Sequence, residues 1–101
     1  MEPTLVKAVD FVEQEGSVVE SAARIGQRVA QALRAGHRVV LCLRGVRGVS
    51  SSFFNVVLAS VSEATSGDVA SDRFVVETDS QTQRMVYERS LQAYISMRRA
   101  S

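Results

Sequence analysis

The sequence predicts an α/β layer protein, a small mixed sheet with helices packed against it, in the order β-α-β-α-β-α. Short apolar runs bounded by charge and glycine stand at 39–43 and 73–77, as strands do. Elsewhere apolar residues recur every three or four positions, the spacing of one helix face. The two kinds of segment alternate, which marks helices laid on a sheet.

Each element has its own signal. Thr4 to Phe11 mix apolar and charged residues and are expected to form the first strand. Ser17-Val18-Val19-Glu20 is a capping-box pattern, in which the Ser hydroxyl accepts from the amide three residues on and the Glu reaches back. Behind it Val18, Ala22, Ile25, Val29 and Leu33 line one helix face, and Arg24, Gln27, Arg28, Gln31 and Arg34 the other. Gly36 ends that helix. Val39-Val40-Leu41-Cys42-Leu43 is continuously apolar, as a strand covered on both faces would be. Gly45-Val46-Arg47-Gly48 turns the chain, and Ser50, Ser51 and Ser52 each offer an N-cap to the next helix. Phe53, Val57 and Val61, with Phe54 and Leu58 beside them, form its apolar side, and Ser66-Gly67 stops it. Arg73 to Glu77 reads as the third strand. Asp79 or Ser80 caps a last helix with Val86, Tyr87, Leu91, Tyr94 and Ile95 on its apolar face. Arg98 and Arg99 sit where the C-terminal dipole favours cations.

Composition narrows the function classes. A chain of 101 residues, 46% hydrophobic and 23% charged, has the size of a single domain, expected to span 1–101. The net charge of +1 argues against a dedicated nucleic-acid binder, which would be strongly basic, even with Arg24, Arg28, Arg34 and Arg38 available. The charge is nonetheless segregated by segment: net −4 over 1–20, +6 over 21–50, −4 over 51–82 and +3 over 83–101. Such blocks either steer a partner or cancel between neighbouring faces. One cysteine, Cys42, excludes an internal disulfide and a cysteine-rich zinc site, and one histidine, His37, excludes multi-histidine metal ligation. Neither a Ser/His/Asp set nor a paired-carboxylate site is visible, so no catalytic residue, metal or cofactor is expected. The longest apolar run is five residues, Val39–Leu43, against the roughly 20 of a membrane-spanning helix. With no basic-then-apolar leader, the expected compartment is the cytoplasm, with no membrane contact.

The stretch from Val40 to Phe53, VLCLRGVRGVSSSF, resembles the STAS-like domains of bacteria, relatives of the anti-sigma-factor antagonists. In those domains a buried strand of the type V-x-L-D-F leads through a G-V turn into I-S-S-S-F and a helix. The resemblance covers roughly residues 17–99. It implies a regulatory protein-binding domain, not an enzyme, whose partner is a kinase of the histidine-kinase-like ATPase fold or a related sigma regulator. In the antagonists a serine opening this helix is phosphorylated by that partner, and only the unmodified form binds. The matching residue is Ser51, followed by Ser52. Ser50 stands where the antagonists carry Asp, and Cys42 where the STAS-like strand carries Asp.

Those implications single out residues. Ser51, Ser52 and Ser50 are the phosphorylation candidates, with plain helix capping as the other explanation of the triplet. Arg47 and Arg44 are candidate contacts for an anion there. Arg47, Gly48, Phe54, Asn55 and Val56 are candidates for the partner surface. The apolar arc of this helix is wider than one buried face needs, so Phe54 and Val56 either stay outside or are covered by the loop around 67–72. Cys42 is expected as a small buried hydrophobe and His37 as a solvated loop residue. The alternative function is a self-associating assembly domain, a homodimer through the 53–61 helix and the sheet edge.

Overall fold

The computed structural model describes residues 3–12, 18–47, 49–69 and 72–100. Ser17, Gly48 and the side chains of Glu20, Arg98 and Arg99 lie outside the described residues, so the expected capping box and the C-terminal cations are not placed. The elements are β1 (Thr4–Lys7), a 3₁₀ turn (Ala8–Asp10), α1 (Val18–Arg34), β2 (Val39–Cys42), α2 (Ser51–Thr65), β3 (Phe74–Glu77) and α3 (Gln81–Ala100). The α/β class and the β-α-β-α-β-α order are as the sequence predicts.

The strands form one sheet in the order β1-β2-β3. Both pairings are parallel, so the expected mixed sheet is parallel throughout. Each strand returns through a helical crossover, which permits parallel neighbours and rules out hairpins. Register aligns Leu5 with Val40 and Val75, and Lys7 with Cys42 and Glu77. The first strand is shorter than Thr4–Phe11. After Lys7 the chain coils at Ala8, which is fully buried, and the Phe11 amide donates back to the Ala8 carbonyl at 3.0 Å.

Two crossovers moving in the same direction across the sheet, each right-handed, place α1 and α2 on the same face. There they pack along each other. Gly26 makes their approach possible: a Cβ at that position would stand 2.5 Å from Ser60 Oγ and 3.0 Å from its Cβ. Under the pair lie the inward residues Val6, Val39, Leu41, Phe74 and Val76. Ala22, Ile25, Val29 and Leu33 of α1 meet Phe53, Val57, Leu58 and Val61 of α2 above them. Each large apolar side chain so buried contributes about 1.5–3 kcal/mol. The Arg73 guanidinium donates to the Leu33 carbonyl in the last turn of α1, a carbonyl that also accepts from the Gly36 amide at 3.0 Å. Gly36 follows at φ +88°, a left-handed conformation that a side chain would strain.

The third helix, α3, packs against α2. Val86, Tyr87, Leu91, Tyr94 and Ile95 are its half-buried face, as their spacing predicts. Burial raises the Tyr87 phenol above its ordinary value, partly opposed by Arg84. The second face of the sheet carries Leu5, Lys7, Val40, Cys42, Val75 and Glu77. Leu5 is 52% exposed and Val75 47%. The expectation that β2 is covered on both faces is therefore corrected. Cys42 is half-buried instead of enclosed. Among the described residues, no helix is long and apolar enough to cross a membrane.

Candidate functional site

The serine triplet lies just past the C-terminal end of the central strand. Leu43 donates its amide to the Glu77 carbonyl at 2.9 Å, and Val46 closes a tight turn onto the Leu43 carbonyl at 3.2 Å. Gly45 occupies φ +82° in that turn. The turn is tied to the start of α3. Gln83 Nε2 donates to the Val46 carbonyl at 2.9 Å, Gln83 Oε1 accepts from the Asp79 amide at 2.7 Å, and the Gly45 amide donates to Asp79 Oδ2 at 3.3 Å. Ser80 Oγ accepts from the Gln83 amide at 3.1 Å, so Ser80 is the residue that caps α3.

The three serines divide the work. Ser50 is extended, at φ −122° and ψ 173°, and its hydroxyl accepts from the Phe53 amide, making it the N-cap of α2. Ser51 and Ser52 occupy the first turn with exposed side chains. No acidic residue shares that turn, and the amides there carry the positive end of the helix dipole. A cleft of about 390 Å³ between the loop before α2 and the start of α3 is lined by Val46, Arg47, Val49, Asp79, Ser80 and Thr82. Arg47 is exposed within it. Arg44 lines a different depression, of about 380 Å³, with Leu5, Lys7, Val9, Cys42 and Glu77 on the open sheet face. The two anion-contact candidates are thus not brought together.

Of the expected partner surface, Arg47, Asn55 and Val56 are exposed, and Gly48 is not among the described residues. Phe54 is a correction: it is 1% exposed. Its ring meets Phe53 edge-on at 5.3 Å and the Tyr87 ring at 5.2 Å. Tyr87 of α3 supplies cover for it. Because α2 packs against both α1 and α3, most of its wide apolar arc is used. Phe53, Phe54, Val57, Leu58 and Val61 are all buried, and of the large apolar residues of the 53–61 helix Val56 remains exposed.

His37 Nδ1 lies 3.1 Å from Thr4 Oγ1, so it is a half-buried hydrogen-bonding residue at the opposite end of the sheet. Arg38 pairs with Asp72 at 4.0 Å with both side chains largely in water, an arrangement worth little. Among the described residues, no group of three or more His, Cys, Asp or Glu could hold a metal. Gln83 is the rim residue that the sequence reading passed over, although Ser80-x-x-Gln83 is itself a capping-box pattern.

Comparison with protein-family models, with curated proteins and with solved structures finds no match to this chain.

Proposed function

We propose that this chain is a non-enzymatic regulatory domain of the STAS-like kind, which docks a protein partner at the rim where α2 begins and is released when Ser51 is phosphorylated. The observation that carries the reading is the division of labour among the serines. Ser50 holds the helix start, so the exposed Ser51 hydroxyl is free of a structural duty there. The partner is a kinase of the histidine-kinase-like ATPase fold, acting in the cytoplasm. Its bound ATP supplies the group: an Oγ–P bond forms, the bond from the γ-phosphorus to the β–γ bridging oxygen breaks, ADP leaves and the hydroxyl proton is released.

The physics favours a switch that leaves the fold intact. A phosphate adds about −1.5 to −2 charges and three strong acceptors. At the start of α2 it meets unpaired amides and a dipole worth about 0.3–1 kcal/mol, with exposed Arg47 in the preceding loop. A partner seated over Asn55, Val56 and Arg47 would instead have to bury that charge. Passing from mostly bound to mostly free needs a difference of about 5.5 kcal/mol between the two forms.

The test is intact-mass analysis of the tagged chain isolated from its native host, with its co-purifying partner. The expected result is a one-phosphate increment lost in Ser51→Ala, with the partner held by Ser51→Ala and shed by Ser51→Asp. Equal retention by Ser51→Asp overturns the switch, and no partner with either the native chain or Ser51→Ala overturns the docking role.

A further inference from the structure

We propose that the open face of the sheet is a self-association surface, on which a second copy of this chain packs about a two-fold axis parallel to the strands. Parallel sheets are ordinarily covered on both faces. Here the outward residues form two rows fixed by register. One row is Leu5-Val40-Val75, apolar from edge to edge, and the next is Lys7-Cys42-Glu77, with opposite charges on the two edges and a neutral residue between them.

That pattern is complementary to itself under one symmetry. A two-fold axis along β2, lying between two stacked sheets, keeps strand direction and exchanges left for right. It sets β1 of one copy over β3 of the other and β2 over β2. Leu5 then meets Val75 of the second copy, Val40 meets Val40, and Cys42 meets Cys42. Lys7 meets Glu77, twice over, once on each side of the axis. The alternative in-plane axis, perpendicular to the strands, sets each strand over its own copy. It brings Lys7 over Leu5 or over another Lys7, and Glu77 over Val75 or another Glu77. Unpaired or like charges pressed against a sheet are costly, so the charges select the first axis. A symmetric pair of this kind buries the same patch twice and closes on itself. Arg44 lines the same depression, and its long stem lets the guanidinium remain in water at the rim. Arg38 lies off the other end of β2 beside its own Asp72.

Size sets the strength. Three strands of four residues present a face of about 13 by 14 Å, well under the roughly 800 Å² per partner of a standard interface. Association is therefore weak and transient. Because the axis runs along the strands, the two copies carry their Ser51 rims at the same end of the dimer, both clear of the interface.

Sedimentation equilibrium of the full chain, up to about 1 mM, tests the surface. The expected result is a reversible monomer–dimer equilibrium. Lys7→Glu and Glu77→Lys each weaken it about tenfold or more, and the double exchange restores it. A short bis-maleimide joins two copies through Cys42, and Cys42→Ser abolishes the product. Circular dichroism checks that each variant keeps its fold. A monomer at every concentration overturns the proposal, as does a dimer indifferent to the exchange. A different protein that covers this face while the chain remains monomeric overturns it too. Ser51→Asp leaves the dimer unchanged, so this inference and the phosphorylation switch fail separately.

Discussion

Leu41 and Val40 are neighbours in the chain and opposites in environment. Leu41 is fully buried beneath α1 and α2, whereas Val40, one residue back, is half-covered among Leu5 and Val75. Both belong to the same apolar run, and neither residue type reveals which side it serves. The difference arises from connection handedness, which lays both crossover helices on one side. It teaches that an apolar run licenses a two-sided burial but does not guarantee it.

The sharpest way to break that comparison is to truncate both residues. Leu41→Ala should cost about 2–5 kcal/mol, because it leaves a cavity in a packed layer. Val40→Ala should cost less than about 1 kcal/mol when measured at low micromolar concentration, which disfavours association. Urea denaturation reads both. Equal losses would mean that the outer face is as tightly packed as the inner one.

The next effect concerns the rim that joins the two sides. Gln83 is 9% exposed and serves the Val46 carbonyl and the Asp79 amide at once. Gln83→Ala leaves both groups without their partner, for a loss of about 1–3 kcal/mol. Hydrogen exchange should show faster opening of the Leu43–Arg47 turn while β2 and β3 keep their protection. A variant that loosens the strands as much as the turn would make Gln83 a general core residue, not a tie between loop and helix.

The fold was legible because its signals are local. Ile25, Val29 and Leu33 announce the inner face of α1 by spacing, and Ser50 announces the start of α2 by its hydroxyl. The exposed position of Ser51 and Ser52 follows from the same helix phase. What local signals do not carry is which element meets which. The burial of Phe54 depends on Tyr87, thirty-three residues further along, and the openness of Cys42 depends on where α3 does not go. Gly26 belongs to the same class. Inside a helical pattern it reads as a weak position, and only the crossing of α2 explains it.

The smallest expected effect tests the covered side from within. Ser90 of α3 is 3% exposed, and its Oγ has no hydrogen-bond partner. A hydroxyl withdrawn from water without a partner costs free energy that a methyl would not. Alanine is also the better helix former and differs by a single small atom, so it opens almost no cavity. Ser90→Ala should therefore raise stability by up to about 1 kcal/mol, read as a higher urea midpoint with an unchanged slope. On the open face the same logic has no purchase, because Cys42 is half-exposed and pays no comparable penalty there. Cys42→Ala should leave the monomer's midpoint nearly where it was. If Ser90→Ala instead lowers the midpoint, that hydroxyl is engaged, and the helix layer is wetter than the sheet beneath it.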